Sequence, residues 1–407
     1  MPSSQRADAS SRFRLGLVVP RFGDQIWGGA ELHGRWLAER LARAGHEVDV
    51  FTTCAVDHRT WRNELPAGVE RYKGVLTVRR FPISDRDLGI HGELDRAISS
   101  GFRLSPEEEL LWLRHGPTSV PMEEELSARG ESYDAILALP YLFGTTYFAF
   151  AACPSRAVII PCLHDEPFAY FGFVREMLSG ARGIMFNTNA ESQLAQRIVG
   201  RLAPWGIVAV GLDAPAPGRR RRVRIPEPSI LYVGRRESGK NTPMLIDYFV
   251  RYKRRHSAPL FLAFAGSGDP VPNRPDIVET KLNFRSPLDV FASATIACQP
   301  SVNESLSIVL LESWQAGRPA LVHGSCDVTK EHCERSNGGL WFSSYAEFEA
   351  VLDRLLASQE LRELLGRNGR AYVEREYSWD AVLGRFDESL RNILATDLTL
   401  DVGSGAL

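Results

Sequence analysis

Residues 296–323, Ile-Ala-Cys-Gln-Pro-Ser-Val-Asn-Glu-Ser-Leu-Ser-Ile-Val-Leu-Leu-Glu-Ser-Trp-Gln-Ala-Gly-Arg-Pro-Ala-Leu-Val-His, read as one complete strand–loop–helix–strand unit. Residues 295–298 form a short apolar strand and 300–305 a polar turn. Residues 306–316 carry apolar side chains at helical spacing, and Gly317 with Pro319 ends that helix. The next strand is 320–323. Such a unit belongs to an open α/β sheet, where ligands sit outside the carboxyl ends of strands and helix N-termini point at them. Two carboxylates mark that place. Glu304 lies ahead of the helix, and Glu312 lies eight residues later inside it.

An acidic residue near a first helical turn gains roughly 0.3–1 kcal/mol from the macrodipole. That accounts for Glu304 taken alone. It does not account for Glu312, set among Ile308, Val309, Leu310, Leu311 and Trp314. A carboxylate there is costly unless a cation or the hydroxyls of a ligand pair with it.

Pro300-Ser301, Glu304, Glu312 and Ala316-Gly317-Arg318-Pro319 resemble the Glu-x7-Glu signature of retaining GT-B glycosyltransferases of family four, the glycosyl transferases group 1. The resemblance implies a nucleotide-diphosphate-sugar donor, with the first Glu on the donor sugar and the second on the nucleotide ribose. It also implies an α/β chain of GT-B type, two Rossmann-like domains with parallel sheets facing across a cleft. The chain departs from the family at one point. Ser305-Leu306-Ser307 stands where a Gly usually follows the first Glu by two or three residues, and these three positions would line the donor.

The rest of the chain agrees with two domains. Short Val- and Ile-rich strands at 15–20, 47–52, 75–81, 134–139, 157–161, 183–186 and 207–210 alternate with helical or loop segments. Residues 211–228 break the pattern with four prolines, two glycines and the run Arg219-Arg220-Arg221-Arg222. Strands resume at 230–233, 260–265, 295–298, 320–323 and 339–342. The expected division is a tail at 1–13, an N-terminal acceptor-side domain at 14–210 and a linker at 211–228. A C-terminal donor-side domain at 229–375 follows, then a helix at 376–395 that returns to the first domain and a tail at 396–407. Ser378 reads as the N-cap of that helix. Residues 82–131 read as a helical insertion whose acidic runs form a solvated face.

Composition excludes several classes. A net charge of −2 gives no footprint for nucleic acid. The six cysteines have neither C-x-x-C nor zinc spacing and read as reduced, mostly buried thiols. No run of 18 apolar residues is long enough to span a bilayer, and the polar residues 1–14 lack the core of a signal peptide. A cytoplasmic protein is expected, with the Arg run of the linker offering weak peripheral contact to the inner membrane face.

Three further constellations sit after strands. Gly234-Arg235-Arg236-Glu237-Ser238-Gly239-Lys240-Asn241 is a basic loop suited to a diphosphate. Arg235 and Lys240 match the family pattern, and Arg236 competes with Arg235. Gly28-Gly29-Ala30-Glu31 opens an amphipathic helix over 32–44, and paired glycines there let backbone approach a phosphate. The resemblance puts this turn on the donor phosphates. His164 follows the strand at 157–161, with Asp165 and Glu166 beside it. A lone His is more often structural, but the family has a functional His at this strand end, near the transferring sugar, which makes His164 a site residue with Asp165 as its weaker companion. Gly266, in Ala265-Gly266-Ser267-Gly268-Asp269, resembles the family's Gly-rich turn near the nucleotide base, with 280–285 supplying base contacts through backbone.

These readings converge on a retaining hexosyltransferase of glycoconjugate or polysaccharide synthesis. His164, Arg235, Lys240 and Glu304 form its catalytic set. Gly28, Gly29, Arg235, Lys240, Gly266, Glu304, Ser305, Leu306, Ser307 and Glu312 bind the donor. The acceptor is a saccharide or lipid-linked hydroxyl. No Asp-x-Asp stands at a strand end, so neither metal nor other cofactor is expected. A sugar-nucleotide epimerase or hydrolase of the same fold is the alternative, ahead of a non-catalytic binding subunit.

Overall fold

The computed structural model describes residues 12–215, 223–280 and 287–396. Two sheets form. The first contains β1 (Arg14–Val18), β2 (Glu47–Thr53), β3 (Gly68–Tyr72), β4 (Leu76–Phe81), β5 (Ala135–Ala138), β6 (Ala157–Ile159), β7 (Gly183–Phe186) and β8 (Trp205–Ile207), in the order β3-β4-β2-β1-β5-β6-β7-β8. The second contains β9 (Ser229–Val233), β10 (Phe261–Ala265), β11 (Ile277–Thr280), β12 (Ile296–Gln299), β13 (Ala320–His323) and β14 (Gly339–Phe342), in the order β11-β10-β9-β12-β13-β14. Every pairing is parallel except β3 with β4.

Parallel strands bury both faces, which explains their near-continuous apolar runs. In β5, Ala135 and Leu137 enter one core cluster while Ile136 and Ala138 enter the other. The two-residue period of a strand thus serves two cores at once.

Strand order reverses between β1 and β5 in the first sheet, and between β9 and β12 in the second. Such switch points leave a crevice at the carboxyl ends of the strands. The motif loops follow β9 and β12, and the glycine turn follows β1.

Two strands, β3 and β11, are not read from the sequence, and one that is read needs correction. β3 is an exposed antiparallel edge with no apolar alternation, so no pattern marks it. Its hairpin turns at Lys73 and Gly74, both with positive φ (50° and 71°), the geometry of a type I′ turn. β11 is a four-residue edge strand. The strand expected at 207–210 is β8, which ends at Ile207. Val208, Ala209, Val210 and Leu212 are apolar because they pack beneath the final helix with Trp379, Val382 and Phe386.

That helix, Trp379–Ala395, is N-capped by Ser378, whose hydroxyl accepts from Ala381 N. It lies on the first domain. Glycine leaves room for it: a Cβ on Gly183 would stand 2.5 Å from Ile393 and one on Gly206 2.3 Å from Ser389. The chain crosses between domains twice side by side, and Leu212 N donates to Tyr377 O (2.8 Å). The insertion forms helices Leu88–Ser99, Pro106–His115 and Val120–Arg129. Its acidic face is not wholly solvated, because buried Glu109 accepts from Gly172 N (2.7 Å). The Arg219–Arg222 run lies outside the described residues. No helix among the described residues is long and apolar enough to cross a membrane.

Candidate functional site

The loop after β9 passes through a 3-10 turn, Ser238–Lys240, and ends at Asn241 in left-handed conformation (φ 57°). Asn241 Nδ2 donates to Pro300 O (3.1 Å), tying this loop to the one after β12. The tie brings Lys240 to Glu304, and Nζ donates to Oε1 at 2.8 Å. Gln299 Nε2 donates to the same oxygen at 3.0 Å. Burial pushes the Glu304 carboxyl up, but the charge and hydrogen bond of Lys240, with the charge of His164, outweigh it and hold the group below the usual carboxylate range.

His164 sits in the loop after β6, in the other domain. Its Nδ1 lies 3.7 Å from Glu166 Oε1, and that oxygen accepts from Tyr141 OH (2.6 Å) in the loop after β5. Burial raises Glu166, yet the hydrogen bonds from His164 and Tyr141 and the charge of Lys240 bring it below its ordinary value. His164 therefore acts on Glu304, and Lys240 on Glu166, across the interdomain cleft. Asp165 is the member of the triplet that turns aside, accepting from Tyr170 OH at 2.8 Å. The sequence reading makes Asp165 the companion of His164, and the loop geometry gives that place to Glu166 instead.

The two arginines after β9 also separate. Arg236 is buried, and its guanidinium donates to Asp269 O and Gly266 O, each at 2.7 Å. It staples the loop after β10 to the loop after β9. Arg235 has a side chain 56% exposed, with Glu237 3.4 Å away. Arg235 also approaches the first domain: burial, then the charges of Arg21 and Arg235, push the His58 imidazole down.

Gly266 has a steric explanation. Its φ is +129°, and a Cβ would stand 2.2 Å from Gly234 O. The glycine allows two strand-end loops to touch.

The glycine turn differs from its expected form. The helix is Gly29–Arg43, three residues longer at its start, so Gly28 is its N-cap and Gly29 its first residue. A Cβ on Gly28 would meet Glu31 Oε2 at 2.1 Å, whereas one on Gly29 would meet nothing within 4 Å. Glu31 folds back into a buried ion pair with Arg21, a helix-terminal role as its position suggested. The Gly29 end faces open space, with N-terminal amides free of side-chain capping.

Glu312 lies in helix Ile308–Gln315. Among the described residues its carboxylate has no hydrogen-bond or ion-pair partner, and burial pushes its pKa up to about 8. Ser307 precedes the helix in left-handed conformation (φ 64°), is 5% exposed and does not cap it. It stands three residues after Glu304, where the family has glycine, and the backbone there has the shape glycine would adopt. Leu306 is buried, and its carbonyl accepts from His332 Nε2 (3.0 Å). Ser305 O accepts from Thr188 Oγ1 of the first domain (3.3 Å).

Sequence reasoning missed Gln299, Tyr141, His58 and His332. Gln299, Tyr141 and His58 are single polar residues at or after a strand end, whereas His332 lies within helix Asp327–Ser336. A search for polar residues one or two positions past each apolar strand finds Gln299 and Tyr141; nothing in the sequence signals His332.

A groove of about 640 Å³ lies elsewhere, between helices Asn189–Val199 and Asp327–Ser336. Asp327, Glu331 and Glu334 line it with Lys330, whose Nζ is 3.9 Å from Glu334. That charge balance is wrong for a diphosphate.

Residues 219–372 match the family model described as Glycosyl transferases group 1. The chain is 25% identical over 409 residues to a protein of Methanocaldococcus jannaschii named uncharacterized glycosyltransferase MJ1607, covering 91% of this chain and 95% of that one. Among solved structures, sucrose-phosphate synthase of Thermosynechococcus elongatus superposes with a TM-score of 0.70 at 17% identity, over 94% of this chain and 100% of that one. Anabaena Alr3699/HepE in complex with UDP and glucose superposes with a TM-score of 0.63 at 14% identity, over 93% and 100%. The structural likenesses show a GT-B fold. The family match and the archaeal relative support a place for the chain among the group 1 glycosyl transferases.

Proposed function

We propose that this glycosyltransferase of the group 1 kind moves a sugar from a nucleoside-diphosphate sugar to a hydroxyl acceptor with retention of anomeric configuration. The observation that carries the reading is Glu312. A carboxylate sits in an apolar helix, without a partner among the described residues, eight residues beyond one already held by Lys240 and Gln299. Vicinal hydroxyls of a ribose supply the donors that Glu312 lacks.

The other residues take the remaining parts of the donor. Lys240 and Arg235 neutralise the departing diphosphate, with the open helix end at Gly29 supplying backbone N–H groups. Glu304 accepts from hydroxyls of the donor sugar. His164, near Glu304 across the cleft, contacts the sugar's other face. The bond between the anomeric carbon and the phosphate oxygen breaks. The leaving phosphate oxygen takes the acceptor's proton, and the acceptor oxygen bonds to the same face. The positive charge comes from side chains, so the proposal includes no metal. UDP-sugars are the first donors to try, since the HepE structure holds UDP and glucose. The acceptor belongs to glycoconjugate or polysaccharide synthesis, saccharide or lipid-linked, in the cytoplasm.

Proton NMR of the product made from an α-linked nucleotide sugar tests the reading. An α-linked product is expected. A β-linked product would overturn retention and turn attention to Glu166 as a base. Free sugar, or an epimerised nucleotide sugar, formed regardless of acceptor would favour the hydrolase or epimerase reading.

A further inference from the structure

His332 lies in helix Asp327–Ser336, 1% exposed, with no place in the chemistry above. Both its ring nitrogens are engaged. Nε2 is 3.0 Å from Leu306 O, and Nδ1 is 3.1 Å from Tyr372 OH. A carbonyl only accepts, so Nε2 carries the proton. A neutral ring then offers Nδ1 as acceptor, and Tyr372 donates to it. The phenol fixes the tautomer, and the tautomer fixes the loop. Burial holds the imidazole neutral, at a pKa of about 4.

The carbonyl so held belongs to the segment between Glu304 and the helix that carries Glu312. Leu306 is followed by Ser307, whose left-handed backbone lies off the favoured region for a serine. A strained residue needs an outside hold, and the hydrogen bond to the adjacent carbonyl is one. Tyr372 packs edge-on against Tyr377 (centroids 5.6 Å apart), and Tyr377 O accepts from Leu212 N where the chain crosses between domains. The loop, the imidazole, the phenol and the crossover form one contiguous stack.

We propose that His332 is a positioning residue. Presented by Tyr372 in its Nε2–H form, it holds the Leu306 carbonyl and thereby sets the spacing of Glu304 and Glu312 for a nucleoside-diphosphate sugar. The donor class rests on the proposed function; the hold on the loop does not.

Hydrogen exchange followed by mass spectrometry on the full chain separates the two. In Tyr372→Phe, which removes a hydroxyl bonded to the imidazole and not to the loop, exchange of the segment spanning 304–309 rises roughly two- to tenfold, the range of one lost hydrogen bond. Exchange in β9 and β10 stays as in wild type. His332→Leu gives the same local rise, and His332→Gln, with an amide NH2 able to donate to the Leu306 carbonyl, restores part of the protection. With a turned-over nucleotide sugar, Tyr372→Phe raises donor KM by a similar factor and leaves acceptor KM unchanged. Unchanged exchange over 304–309 in Tyr372→Phe overturns the proposal, as does a uniform rise across the domain. Absence of turnover on any nucleotide sugar overturns the proposed function instead, and leaves the exchange result standing.

Discussion

Lys240 Nζ stands 2.8 Å from Glu304 Oε1, joining the loop after β9 to the loop after β12 across the point where strand order reverses. The pair makes one unit of two residues that the sequence suggests for separate parts of a ligand. Phosphate and sugar are bonded to each other in the donor, so a cation and a carboxylate in contact suit adjacent groups of one molecule.

The pair changes what a lysine substitution does. A loop lysine adds little packing, but Lys240→Met takes from the Glu304 carboxylate its only cation within hydrogen-bond distance among the described residues. Breaking a buried pair costs about 3–5 kcal/mol. The Lys240 side chain is 24% exposed, so water screens part of this and roughly 1–3 kcal/mol is expected. Turnover should fall by roughly 10²–10³. Lys240→Met with Glu304→Gln should lose less stability than the two single changes added together. Denaturant melts of the four proteins check it, and strict additivity would contradict the pairing.

Glu312 predicts a proton. Its pKa of about 8 leaves it largely protonated at pH 7, whereas ribose hydroxyls favour the ionised form. Binding of UDP should therefore release up to about one proton at pH 7. Calorimetry in phosphate and in Tris would read this as a buffer-dependent enthalpy, and Glu312→Gln should remove that part while weakening UDP. Glu304→Gln should barely alter UDP affinity.

The same group sets a sign for stability. Folded Glu312 holds its proton up to about pH 8, while the unfolded carboxyl loses it near its ordinary value of 4.5. Between those limits the folded state binds more protons, so stability falls as pH rises. Thermal melts from pH 5 to 8 should show a shallower decline in Glu312→Gln than in wild type.

Arg235 and Arg236 should part company. Arg236→Ala removes a buried side chain and its two hydrogen bonds to the part-buried carbonyls of Asp269 and Gly266, untying the two loops, so Tm should drop by several degrees. Arg235→Ala should leave Tm unchanged and lower turnover by at least tenfold. The reverse result would exchange their roles.

Ser307→Gly should stabilise. The serine has φ 64° and a buried hydroxyl without a hydrogen-bond partner. Relief of the left-handed backbone is worth about 1 kcal/mol, and Tm should rise by about 2 °C. A fall in Tm would mean that the hydroxyl has a partner in solution.

Most of the parallel strands, the two domains and the motif loops after β9 and β12 were legible in the sequence, while the order of strands within each sheet was not. Apolar runs of Val, Ile and Leu report burial on both faces of a parallel sheet, and glycines and prolines report where the chain leaves it. Exposed β3 carries no such burden, so its pattern is silent. Residues 208–212 carry the burden for another reason, packing under a helix that begins at Trp379, far along the chain. The site divides in the same way. Glu304, Glu312, Lys240 and the glycine turn stand out because spacing along one loop or helix is a local property. Which arginine is exposed, which of Asp165 and Glu166 meets His164, and that His332 holds Leu306 were decided only in the tertiary structure. Those depend on the conformation of a loop or on contacts between separate elements, and a one-dimensional pattern holds no record of the distance between two elements that the sheet brings side by side.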